Sequence, residues 1–157
     1  MTNSIQAGNP GVVVRPPVLY GATFLAVLVL RWLWPMPIAS HLATLWSGLA
    51  LFAVGVAIVV PGRRALLAAG TNVDPLLPVT AIVTTGPFRF SRNPLYVGLT
   101  LLYLGLTLAF NTWWGVILLL PIVGIMHFGV VRREERHLER TFGERYRQYR
   151  STVRRYL

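Results

Sequence analysis

"LYVGLTLLYLGLTLAFNTWWGVILLLPIVGIMHFGVV", residues Leu95–Val131, is two apolar runs parted by the dipeptide Asn111-Thr112. Neither run contains Asp, Glu, Lys or Arg. Crossing the hydrocarbon core of a bilayer takes a helix of roughly 17–25 apolar residues, and the runs Leu95–Phe110 and Trp113–Val131 are close to that length. So short a connection returns the second helix beside the first, so the stretch predicts an antiparallel helical hairpin.

Two further spans precede it. "PPVLYGATFLAVLVLRWLW" gives one from Pro17 to Trp34, ended by Pro35-Met36-Pro37. Arg31 near its end can snorkel, and Trp32 and Trp34 suit a membrane–water interface. "HLATLWSGLALFAVGVAIVV" gives the next, His41–Val60, expected to stop at Pro61-Gly62. The expected fold is all-α: a polytopic transmembrane helical bundle of about four spans with a cytoplasmic C-terminal helix. Residues 1–16 read as a disordered tail without a secretory signal, and residues 17–157 as a single membrane domain. In the C-terminal segment Leu138, Phe142, Tyr146 and Tyr149 recur at helical spacing.

Composition agrees. Hydrophobic residues make up 54% and charged residues 13%, against about 25% charged in a typical soluble domain. The formal net charge is +10, carried by fifteen arginines and no lysine. Those arginines alternate with the spans. One lies in the N-terminal tail, none between spans one and two, four between two and three, none between three and four, and nine after span four. The positive-inside rule then puts both termini in the cytoplasm. Nucleic acid is excluded as a partner, since its recognition gives no reason to separate arginines by long apolar runs. With no cysteine there is no disulfide, thiolate ligand or cysteine nucleophile, and the His and Glu spacings form no metal cluster.

Two polar stretches flank the hairpin. "GPFRFSRNPLYVG", Gly86–Gly98, opens the third span. Gly86-Pro87 marks a turn, Asn93 is pushed out of the α region by Pro94, and Pro94 suits the first position of a helix. That helix start offers free N–H groups for an anion such as a carboxylate. Phe88, Phe90 and Tyr96 are candidate walls for a flat ring; a capped helix start dressed with interfacial residues reads equally well from the residues alone. "RREERHLERTFGERYRQY" follows the fourth span and holds four of the five acidic residues, Glu134, Glu135, Glu139 and Glu144. Intrahelical Glu–Arg pairs are the simple account of these. Glu134, next to the membrane, is the least suited to full solvation. If the two span lengths match, the hairpin brings the two stretches together.

This ordered pair of motifs resembles the isoprenylcysteine carboxyl methyltransferase and phospholipid methyltransferase superfamily, small integral-membrane enzymes that use S-adenosylmethionine. The resemblance covers about residue 70 to the C-terminus, which would be the cofactor core. It implies S-adenosylmethionine bound by Thr80, Ala81, Ile82, Val83, Thr84, Gly86, Phe88, Arg92, Asn93, Pro94, Leu95, Tyr96 and Glu134, with Glu134 on the cofactor's ammonium group. The chain departs from the pattern twice. Asn93 stands where eukaryotic members carry a histidine, and Val130 where they carry a substrate-binding arginine, leaving Arg132 or Arg133 as substitutes. The resemblance thus implies methyl transfer to a lipid-like or small hydrophobic acceptor, a carboxylate, amine or thiol; the lack of lysine and abundance of Arg, Ala, Leu and Gly suggest a bacterial inner membrane. No catalytic base is assigned among His41, His127 and His137. The alternatives are a non-catalytic lipid-binding protein of the same fold and an NADPH-dependent membrane reductase.

Overall fold

The computed structural model describes residues 11–156, and among these every regular element is helical. The elements are α1 (Pro16–Leu33), α2 (His41–Ala68), a 3-10 turn (Gly86–Arg89), α3 (Pro94–Ala109), α4 (Trp113–Ile125), a π-helical segment (Met126–Val131), α5 (Arg132–Phe142) and α6 (Glu144–Thr152). Three helical stretches are long and apolar enough to cross a membrane: Pro16–Leu33, His41–Ala68 and Trp113–Phe142. The fourth apolar helix, α3, has 16 residues, about 24 Å of rise. Large apolar side chains such as Leu25, Leu42 and Leu120 are exposed, as expected where the surrounding solvent is lipid. The protein is an integral membrane helical bundle.

Residues 1–10, the greater part of the expected disordered tail, lie outside the described residues. Gly11 to Arg15 run along the bundle. Val12 is buried, the Val13 amide donates to the Gly129 carbonyl at 3.3 Å, and Arg133 donates to the Gly11 carbonyl at 2.8 Å.

The closest packing is between α2 and α3, antiparallel neighbours. Gly48, Gly55 and Gly62 recur at seven-residue intervals on α2 and meet Gly105, Gly98 and Leu95 of α3. A methyl group on Gly48 would sit 2.5 Å from the Ala109 amide nitrogen, and one on Gly55 2.9 Å from the Leu102 nitrogen. Small residues let backbones approach where the hydrophobic effect cannot drive helices together. This stripe also explains why α2 does not stop at Pro61, as expected from the sequence, but continues to Ala68. Gly62 is still seated on Leu95, so packing against α3 carries the helix past the proline.

At the opposite end of the bundle the two short connections are joined. Asn111, at φ +49, accepts from the Ile38 and Ala39 amides and donates to the Ala39 carbonyl. α1 packs Tyr20 and Phe24 edge-on against Tyr103 of α3, with ring centres 5.8 and 6.1 Å apart.

The helix of the fourth span does not end at Val131. One helical stretch runs from Trp113 to Phe142 and includes the π segment. The C-terminal segment is likewise not a single helix. Gly143, at φ +55 and ψ −123, a conformation open to glycine and few others, divides α5 from α6. The regular spacing of Leu138, Phe142, Tyr146 and Tyr149 is therefore shared between two helices.

Candidate functional site

The sharp turn at Gly86 (φ +59) starts the 3-10 segment that buries Phe88. Tyr149 of α6 holds this turn by donating its hydroxyl to the Phe88 carbonyl at 2.7 Å. Burial pushes the Tyr149 phenol up to about 12, with Arg92 acting in the opposite direction. Pro94 opens α3, and Asn93 caps it through its carbonyl, which accepts from the Tyr96 and Val97 amides. The Asn93 side chain does not cap. Its amide donates to the Arg155 carbonyl at 3.0 Å.

The hairpin brings the two polar stretches into contact. Tyr96 of α3 donates its hydroxyl to Glu134 Oε2 of α5 at 2.7 Å. Glu135 is buried and accepts from two guanidinium groups: Arg92 Nη2 at 3.2 Å and Arg155, whose Nη2 lies at 2.8 Å and Nε at 3.1 Å. The contact with Glu135 strengthens the hold of Arg155 on its proton. Adjacent residues on a helix point about 100° apart, so the Glu-Glu pair divides its work: one carboxylate meets Tyr96 and the other the arginines. The role of Glu135 was not read from the sequence; the adjacency of the two acids was the available signal.

After α6 the chain returns as a strap, Val153 to Tyr156. The Arg92 amide donates to the Arg154 carbonyl at 2.9 Å, Ser91 Oγ donates to the Arg155 carbonyl, and the Tyr156 hydroxyl lies 2.8 Å from His127 Nδ1. Nothing in the sequence marked it, because most of these bonds go to backbone carbonyls, which any residue supplies.

Two cavities adjoin Tyr96. The first, of about 60 Å3, lies between the start of α3, α5 and the loop after α2; Phe88, Arg92, Asn93, Pro94, Leu95, Tyr96 and Glu134 all line it, with Asn72 and Val79 of the loop above. Arg92, whose side chain is 7% exposed, has Nε and Nη1 buried without a partner. The second, of about 280 Å3, is almost wholly apolar and lies among α1, α3, α4 and the strap, with Tyr20, Tyr96 and Tyr156 on its walls.

The other sequence candidates lie elsewhere. Thr80 is tied to Gly70 and Thr71, and Val83 is buried. Thr80, Ala81, Ile82, Val83, Thr84 and Gly86 do not line the cavity at Glu134; Thr84 borders a separate surface depression with Arg89 and Arg145. Phe90, expected as a wall, is 74% exposed, because the 3-10 turn sends Phe88 inward and its neighbour outward. Arg132 lies over the Phe128 ring at 5.7 Å, and Arg133 binds the Gly11 carbonyl. Neither arginine lines either cavity. Val130, where an arginine was sought, is fully buried. Among the described residues no group of His, Asp and Glu could hold a metal ion.

No curated protein and no solved structure matches the chain. A family model does: that of the phospholipid methyltransferases, over residues 43–145. The match runs from the first turn of α2 to the start of α6 and takes in the glycine stripe, the Gly86–Gly98 turn and the Glu134–Glu135 pair. The chain belongs to the phospholipid methyltransferase family, and is a membrane methyltransferase.

Proposed function

We propose that the protein transfers a methyl group from S-adenosylmethionine to the amine of a membrane lipid. The observation that carries this is the opposite charge among the residues lining the 60 Å3 cavity: the Glu134 carboxylate, and Arg92 with its Nε and Nη1 buried without a partner. A buried guanidinium with free donors calls for an anionic acceptor. An α-amino acid offers both an ammonium for Glu134 and a carboxylate for Arg92, and the amino-acid end of S-adenosylmethionine is such a group. When bound, the cofactor supplies a methyl group already activated on a sulfonium.

The residues around it then bind, orient and exclude water. Phe88 and Tyr96 are the aromatic walls, and Tyr96 holds Glu134 in place. The present space accommodates only about two waters, so the loop bearing Asn72 and Val79 must swing outward to admit the cofactor. Thr80–Thr84 and Gly86, implied as cofactor contacts by the resemblance, would come to the ligand in that movement. The same donor core spans about residues 70–157 of a single membrane domain, residues 17–157.

The acceptor assignment draws on the second cavity. It is apolar enough for an acyl chain and carries Tyr20, Tyr96 and Tyr156 but no arginine. Aromatic faces and phenol oxygens suit an amine or ammonium, and the cavity has no cationic side chain to pair with a carboxylate. Tyr96 borders both cavities, so donor and acceptor would meet across it. The arginine distribution supports an orientation with both termini cytoplasmic, and the lysine-free composition rich in Arg, Ala, Leu and Gly supports a bacterial inner membrane.

Calorimetric titration of the detergent-purified protein with S-adenosylmethionine and its demethylated product tests the assignment, with Glu134→Ala, Asn93→Ala and NADPH alongside. Micromolar binding that is lost in Glu134→Ala supports it. No binding by folded wild type would leave a non-catalytic lipid-binding protein, and binding of NADPH alone a reductase.

A further inference from the structure

The apolar cavity and the strap meet at two side chains that the donor pocket does not use. Tyr156 lines the cavity, and its hydroxyl is 2.8 Å from His127 Nδ1. His127 sits in the π segment Met126–Val131, a helical irregularity that recurs at functional sites. Its ring is steadied edge-on by Phe128, with centres 4.8 Å apart. Tyr156 is steadied by the preceding residue, since Arg155 is bonded to Glu135 through its guanidinium and to Asn93 through its carbonyl. Burial raises the Tyr156 phenol above its ordinary value, so it is a neutral O–H and not a phenolate. Such a group donates to one partner while its oxygen accepts from another.

A lipid amine arrives largely as an ammonium, because an alkylammonium has a pKa of about 10. It has no free lone pair until a proton leaves. We propose that Tyr156 and His127 form the proton-accepting relay for that amine, with Tyr156 touching the acceptor nitrogen and His127 taking the proton. The relay rests on the lipid-amine assignment above. One N–H bond of the ammonium breaks as an O–H bond forms on Tyr156. The original Tyr156 O–H breaks as an N–H forms on His127 Nδ1, in the tautomer that carries its resting hydrogen on Nε2. The products are a neutral amine and an imidazolium, with total charge and proton count unchanged. The proton returns to water between turnovers. The groups facing the pair are Arg155 on the strap, Glu135 on α5 and Tyr20 on α1, with Tyr96 of α3 on the same cavity. Glu135 is ion-paired with both Arg155 and Arg92. Asn93 cannot titrate, and Tyr156 of the strap with His127 of the π segment supplies from another direction the base that position 93 does not.

The test compares wild type with Tyr156→Phe and His127→Gln in three measurements. Calorimetry with S-adenosylmethionine should give the same affinity for all three. Methyl transfer to phosphatidylethanolamine vesicles should fall by about 10²–10⁴-fold in both variants near neutral pH, the usual worth of general base catalysis. The defect should shrink as pH rises toward about 10, where the amine deprotonates unaided. A third readout needs no cofactor: ¹⁵N spectra of histidine-labelled wild type should show His127 protonated on Nε2. Variants as fast as wild type, a defect constant with pH, or a His127 ring protonated on Nδ1 would each overturn the relay. Wild type that fails to bind S-adenosylmethionine would instead overturn the donor assignment, and the relay with it.

Discussion

The Tyr96 hydroxyl donates to Glu134 Oε2 at 2.7 Å, joining the start of α3 to the first turn of α5. Two residues 38 apart in sequence thereby close one wall of the charged cavity. Hydrogen bonds to charged groups contribute about 1.5–3 kcal/mol. Glu134→Gln should therefore weaken S-adenosylmethionine binding by roughly 10–100-fold, with the fold retained. Tyr96→Phe, which leaves the carboxyl group in place but unheld, should weaken it less. Titration calorimetry on both variants checks the order; a Tyr96→Phe loss larger than that of Glu134→Gln would contradict it.

The Glu135 site should behave as structure. Removing one partner of a buried ion pair costs about 3–5 kcal/mol, and Glu135→Ala strands the buried Arg92 and frees Arg155. The expected result is a lower melting temperature and rapid proteolytic clipping at Arg154–Arg155, residues the strap otherwise holds. Arg155→Ala should be milder, because its side chain is 34% exposed.

The glycine stripe gives a paired prediction. Gly48→Ala places a methyl group 2.5 Å from the Ala109 nitrogen, and such overpacking costs about 1–3 kcal/mol. Gly21→Ala in α1, where nothing lies within 4 Å, should instead be neutral or stabilising by up to about 1 kcal/mol, the helix-propensity difference. Thermal unfolding in one detergent measures both, and equal shifts would show that the α2–α3 approach is not close.

Alkaline pH should loosen the turn at Phe88. Tyr149 has its phenol raised to about 12 from 10.0. A group raised on folding contributes stability that is fully present below its unfolded value and lost as pH rises through its folded value. The Tyr149 contribution is thus intact below pH 10 and disappears toward about pH 12. Stability measured across that window should fall less steeply in Tyr149→Phe, which will also be less stable throughout, since the Phe88 carbonyl loses its partner.

The hairpin was legible because a two-residue turn between matched apolar runs leaves one geometry, and from it the nearness of Tyr96 and Glu134 followed. Family membership was legible in two motifs whose order and spacing survive without an alignment. What escaped was set by contacts between distant segments. Pro61 reads locally as a stop, yet Gly62 on Leu95 keeps α2 helical. Phe88 and Phe90 look equivalent in sequence, and only the 3-10 turn decides which is buried. Arg155 and Tyr156 read as a charged tail end, and their partners Glu135 and His127 lie 20 and 29 residues upstream.

The π segment at Met126–Val131 fixes a rotational phase. Such a segment is equivalent to one residue inserted into an α-helix, and one residue is about 100° of turn. Winding the same residues into ordinary α-helix, with none removed, would undo that accommodation. Every residue from Arg132 onward would turn by that angle relative to α4, carrying Glu134 away from Tyr96 and Glu135 away from Arg92 together. Substitutions along this helix act one contact at a time, whereas loss of the π turn acts on all of them at once. The pairing of α3 with α5 therefore depends on the winding of this one turn, not on any single contact along the helix.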